Sequence, residues 1–141
     1  IHPHALIVRT NIFGLSRTAG RISLSDFVIN ALSEKKSVQF YEDIYFSPLH
    51  MRTAARLTVQ AVEMDISGVF NLGSREGMSK KDFAYAIADF KGLSLEYSRC
   101  VKYRDKNYPV PRPSDMRMNV SKIEKAMKSP MPLLSEEIRN L

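Results

Sequence analysis

Ala5-Leu6-Ile7-Val8 is a short, unbroken apolar run with Arg9-Thr10-Asn11 directly behind it, and this pairing restricts the folds open to the chain more than any other stretch. A continuous run, not an alternating one, suits a strand buried on both faces, as in a parallel sheet covered by helices. The polar residues behind it fall where an open α/β sheet places its ligands, beyond the carboxyl ends of its strands. A central strand needs neighbours, yet only four residues precede this one. Either the sheet is built from later segments of the chain, or part of it lies elsewhere. An opening Ile1 in place of Met points to a fragment or a processed chain.

Beyond Gly14, helix and strand patterns alternate. Leu24, Phe27, Val28, Ala31 and Leu32 fall on one face of a helix that Ser23 or Ser25 can cap. Val38–Tyr41 and Tyr45–Ser47 predict two short strands forming a hairpin around Glu42-Asp43, and Pro48 makes the second an edge strand or ends it. A helix over 50–64 should turn Met51, Ala54, Ala55, Ala61 and Val62 inward. Val69–Gly73 is a second buried strand, and Gly73–Gly77 a loop. Ser79-Lys80-Lys81-Asp82 resembles a capping box, with Phe83, Ala86, Ile87 and Phe90 lining the helix behind it and Gly92 at its end. Residues 95–103 look extended, and Pro109, Pro111 and Pro113 stiffen the next loop. Ser121-Lys122-Ile123-Glu124 opens a short helix as a capping box, and a last helical turn occupies 135–141. This order is α/β with a small irregular lobe, and 141 residues suit a single domain.

Charge is concentrated. Nine basic residues face three acidic ones between Arg99 and Lys128, which accounts for the whole net charge of +6. A local positive field favours an anionic partner such as a phosphate, a nucleotide or a nucleic acid. The stretch has few interleaved aromatics (Tyr103 and Tyr108) and no known nucleic-acid motif, so a small basic nucleic-acid-binding domain ranks last. The single cysteine, Cys100, excludes an internal disulfide and fits a reducing, cytoplasmic setting. No apolar run approaches the ~20 residues of a membrane span.

Much chemistry is excluded. His2-Pro3-His4 has no third ligand nearby, so no metal site is expected, and no nucleophile–base arrangement or carboxylate pair stands out. Gly68, Gly73 and Gly77 are spaced by four and three residues, whereas the dinucleotide fingerprint needs G-x-G-x-x-G. Tyr-x-x-x-Lys, the proton-handling pair of short-chain reductases, occurs at none of the six tyrosines. No residue is therefore assigned a catalytic role. The most specific local signal is Pro111-Arg112-Pro113-Ser114-Asp115. Flanking prolines limit the entropy lost when Arg112 grips a ligand, and its planar fork matches phosphate oxygens. Arg112 could instead pair with Asp115 or Asp105 and pin the loop.

Taken in order, Ile7-Val8-Arg9-Thr10-Asn11-Ile12-Phe13-Gly14, Asp43 through Pro48, Gly68-Val69-Phe70-Asn71-Leu72-Gly73-Ser74, Met78 through Ala84 and Arg112-Pro113-Ser114-Asp115 resemble the C-terminal part of the extended short-chain dehydrogenases, in particular the dTDP-4-dehydrorhamnose reductases. The resemblance implies the substrate-binding C-terminal portion of an extended Rossmann-type reductase. It would have a few mostly parallel strands, helices and a small substrate-binding lobe, and the NAD(P)-binding part would lie upstream. It further implies a nucleotide sugar as substrate, with hydride delivered to its keto group by NADP or NAD in the full-length protein and no cofactor bound by this chain alone. Carried over by position, Thr10, Asn11 and Ile12 would sit at the mouth of the site, Arg112 near the diphosphate, and Tyr45 in the surrounding wall.

Two positions depart from that family. Ile12 stands where rhamnose-pathway reductases commonly carry Trp, and Phe46-Ser47-Pro48-Leu49 where they tend to have Gly-x-Pro-Thr. Both touch the sugar pocket. Non-catalytic relatives such as the regulatory subunit of methionine adenosyltransferase share this half, so a regulatory or scaffold module of the same fold is the alternative. An unpaired strand edge at Ala5–Val8 also predicts self-association.

Overall fold

A computed structural model describes residues 4–110 and 113–141. In chain order the elements are β1 (Leu6–Thr10), β2 (Ile12–Phe13), α1 (Leu24–Ser33), β3 (Val38–Tyr41), β4 (Tyr45–Phe46), β5 (Leu49–His50), α2 (Met51–Glu63), β6 (Gly68–Leu72), β7 (Met78–Ser79), α3 (Lys80–Lys91), β8 (Ser98–Val101), a 3₁₀ turn (Tyr103–Asp105), β9 (Asp115–Met116), α4 (Ser121–Met127) and α5 (Leu134–Ile138). Among the described residues every strand pairing is parallel except that of β4 with β7. The α/β expectation holds, with short and mostly parallel strands. Among the described residues no helix is long and apolar enough to cross a membrane, and no cluster of His, Cys, Asp or Glu could hold a metal.

The chain divides into two compact units. The first, here the sheet unit, takes the segment ending at Phe13 together with Ser47–Gly77 and Arg117–Asn140. In it β1 pairs with β6, Leu6 opposite Gly68 through Thr10 opposite Leu72. Ile12 and Phe13 pair with Leu49 and His50. Phe70 and Leu72 of β6 bury with Leu57 and Ala61 of α2 and Ile123 and Met127 of α4, and Leu6 and Val8 pack against this cluster. The expectation of double burial for the first strand fails. Ile7 is 42% exposed and its register partner Val69 39%, so the face opposite the helices is open.

The second, the insert unit, is built from Gly14–Phe46 and Met78–Met116, with Leu141. Ser23 caps α1 in a full capping box with Asp26, and Ser79 caps α3 by accepting the Asp82 N–H, with Gly92 left-handed at its end (φ 64°). Three expectations change. The predicted hairpin does not form: β3 pairs in parallel with β8, while β4 lies between β7 and β9. Asp43 in the intervening turn instead holds the backbone of Tyr103 and Arg104. Helix faces are also rotated from those predicted, since Phe27, Val62 and Phe90 are exposed while Ser25, Leu57 and Ala84 are buried. In the sheet unit, the predicted capping box at Ser121 is absent. Asn119 takes the Ser121 N–H, and the Glu124 carboxylate accepts from Met131 N–H at 2.8 Å.

Candidate functional site

In the insert unit the polar chemistry gathers around an aromatic cluster. The Asp43 carboxylate accepts the backbone N–H groups of Tyr103 (2.7 Å) and Arg104 (3.2 Å). Partial burial pushes its pKa up, but these bonds win and hold it below the ordinary value. Pinned there, the Tyr103 ring stacks on Tyr108 with centroids 4.8 Å apart and meets Tyr41 edge-on at 5.5 Å. The Tyr41 and Tyr108 hydroxyls share a hydrogen bond, and Tyr103 Oη donates to the Val110 carbonyl at 3.1 Å. Together with Pro109 and Val110 the three rings line a cavity of about 370 Å³.

A second cavity, about 510 Å³, shares Tyr41 and Tyr103 as its wall and adds Leu24, Phe27, Ile44 and Met116, with Gln39 and Lys80 as polar contributions. Lys80 Nζ lies 3.4 Å from the centroid of the buried Phe46 ring. Burial lowers its pKa to about 8. Among the described residues no carboxylate lies within ion-pair distance of this amine. Tyr45, partly exposed on β4, sits opposite Ser79 and Asp115 and donates its backbone N–H to the Ser114 carbonyl at 2.7 Å. Flat ring walls plus one cation suit a ligand with an aromatic ring and a negative charge.

In the sheet unit, Thr10, Asn11 and Ile12 form one exposed run at the carboxyl end of β1. It is held from both sides. Thr10 is in register with Leu72, the Asn11 carbonyl accepts the Leu49 N–H at 2.9 Å, and Ile12 is in register with Leu49 while remaining 56% exposed. Behind it the Phe13 and His50 rings meet edge-on at 5.6 Å. Burial lowers the pKa of His50, against the opposing pull of Glu137. Its Nδ1 accepts the Arg52 N–H at the start of α2. The Glu137 carboxylate, itself buried, accepts from His50 N–H (2.9 Å) and Thr53 Oγ1 (3.0 Å). These groups hold α2, β5 and α5 together.

The loop at Gly73 is not shaped as a dinucleotide cradle. A methyl group on Gly73 would stand 2.6 Å from the Ser47 carbonyl oxygen and 2.8 Å from Met118 Cε, so this glycine serves the close packing of chain segments.

Of the residues singled out in the sequence, Thr10, Asn11 and Ile12 stand together in the sheet unit and Tyr45 lies in the insert unit. Arg112 and the His2-Pro3 pair lie outside the described residues. Lys80 does not stand out in the sequence, where it reads as filler inside a capping box. One signal was there: a cation in the first turn of a helix sits at the positive end of the macrodipole.

The chain matches the model of the RmlD substrate binding domain over residues 1–141. It is 22% identical over 143 residues to the probable low-salt glycan biosynthesis reductase Agl14 of Haloferax volcanii, covering all of this chain and 48% of that protein. Among solved structures, the dTDP-4-dehydrorhamnose reductase of Bacillus anthracis in complex with NADP superposes with a TM-score of 0.82 at 15% identity, covering 96% of this chain and 47% of that one. The corresponding enzyme of Yersinia enterocolitica gives 0.78 at 16%, covering 96% and 47%. The chain thus spans about half the length of these relatives. With the fold of the reductases' C-terminal portion and a family match along its whole length, it belongs to the RmlD substrate binding domain family.

Proposed function

We propose that this chain binds the nucleotide sugar for an NAD(P)-dependent 4-ketoreductase whose hydride-donor site and general acid lie outside it. The observation that carries the reading is the whole-chain match to a substrate binding domain. In this reading Thr10, Asn11 and Ile12 form the rim at the sugar, Tyr45 part of the wall and Arg112 a clamp on the diphosphate. The ring-lined cavities of the insert unit supply the apolar wall that a nucleobase needs. NADP or NAD serves the full-length protein, and residues 1–141 act as its substrate-binding portion. The setting is cytoplasmic, in keeping with the lone Cys100. Among the described residues β1 pairs with β6 alone, and copies of the chain associate through its other edge.

Titrating a dTDP-sugar into the labelled chain should shift the NMR signals of Thr10, Asn11, Ile12, Tyr45 and Arg112. Mixing the chain with a dTDP-4-keto sugar and NADPH should leave NADPH unconsumed. Absence of any shift at millimolar ligand overturns the binding reading, and NADPH turnover overturns the placement of the catalytic groups.

A further inference from the structure

Lys80 is badly placed for stability in three independent ways. It is half-buried, and moving an ammonium group out of water costs free energy that only a counter-charge or hydrogen bonds restore. It begins α3, where the helix dipole opposes a cation. Three carboxylates on neighbouring segments are engaged elsewhere. Asp82 pairs with Lys81 at 3.0 Å and with Ser79 Oγ, Asp43 holds the Tyr103 and Arg104 amides, and Glu42 faces Lys102. Among the described residues, the face of the Phe46 ring offers the amine partial compensation. Such a local misfit, in a residue that lines a ring-walled cavity, is the mark of a group held for a ligand.

We propose that Lys80 is the anion-pairing residue of this cavity, taking a phosphate oxygen of the nucleotide whose ring lies against the Tyr41–Tyr103 wall. The inference rests on the nucleotide-sugar reading and adds to it a residue that separates nucleotide from nucleoside. An incoming phosphate supplies the counter-charge that the fold withholds, in a partly dehydrated setting where a charge-assisted hydrogen bond is strong. The lowered pKa of the free amine agrees with that missing counter-charge.

The test is calorimetric titration of dTDP and of thymidine into the whole chain and its Lys80→Met and Lys80→Arg variants, with circular dichroism to verify that each is folded. The native chain should bind dTDP about tenfold or more tighter than thymidine. Lys80→Met should erase most of that preference by weakening dTDP alone, and Lys80→Arg should retain it. A folded Lys80→Met that keeps the native preference overturns the role of Lys80 and leaves the nucleotide-sugar reading intact. If no variant binds dTDP or thymidine, both fall.

Discussion

Removing the Glu137 carboxylate tests whether the sheet unit is held from α5 through one buried acceptor. Glu137→Ala strips the His50 N–H and the Thr53 hydroxyl of their common partner, 2.9 and 3.0 Å away. The hydroxyl can rotate, but the His50 N–H is fixed by the backbone. A buried donor left unpaired costs about 1–3 kcal/mol, and the truncated side chain adds about 1 kcal/mol of lost packing. The expected loss is about 2–4 kcal/mol. Glu137→Gln should cost only about 1 kcal/mol, because the amide oxygen still accepts from His50 while its NH₂ donates to the threonine oxygen. Urea unfolding followed by far-ultraviolet circular dichroism reads both. With a slope of about 2 kcal/mol/M, Glu137→Ala should lower the midpoint by about 1–2 M. The chain has no tryptophan, and Tyr41, Tyr45, Tyr85, Tyr97, Tyr103 and Tyr108 are all in the insert unit, so tyrosine emission follows that unit separately. Equal losses for Ala and Gln, or an alanine loss below about 0.5 kcal/mol, would refute the reasoning, since surface changes already reach that size.

Two further predictions rest on packing and charge. Gly73→Ala should destabilise by about 1–3 kcal/mol, because the new methyl meets a backbone oxygen at 2.6 Å that is itself held by the Ser74 N–H; urea midpoints check it, and a neutral result would show that the Ser47 segment yields freely. Lys80 should give stability an alkaline rise. Below about pH 8 the amine is charged both folded and unfolded, and its burial penalty is felt in full. Between about 8 and the ordinary lysine value of 10.5 the unfolded chain binds the extra proton, so stability climbs with pH. Lys80→Met should lose that climb relative to the native chain in urea midpoints taken at neutral and alkaline pH, and parallel curves would contradict it.

Local chemistry was readable in the sequence, and long-range partnership was not. Ser79 caps its helix as its spacing to Asp82 indicates, and Ser23, one of two candidate caps, takes the Asp26 N–H, because those bonds close within one turn. The same pattern misleads at Ser121, where Asn119 and Met131 outcompete the box. The sequence suggests a hairpin over Val38–Ser47, yet β3 finds β8 and β4 finds β9, partners far along the chain that no local pattern reveals. Phe27 and Phe90 look like core residues but are exposed, which shows how apolar periodicity alone can misplace a helix face by a residue. The exposed Thr10-Asn11-Ile12 segment, part of the proposed site, is legible as the end of an apolar run. Lys80 emerges only when burial, ring contact and missing carboxylates are known together.

The segments Gly14–Phe46 and Met78–Met116 carry both ring-lined cavities, whereas the sheet unit is assembled from the stretches on either side of them. Neither unit is a continuous piece of chain, so no single truncation can isolate one. On the proposed reading, the same layout makes the share of ligand preference carried by the cavity walls transplantable. Exchanging those two segments as cassettes between relatives would replace the cavity walls and Lys80 while keeping β1, β6 and their helices, letting recognition diverge without rebuilding the sheet.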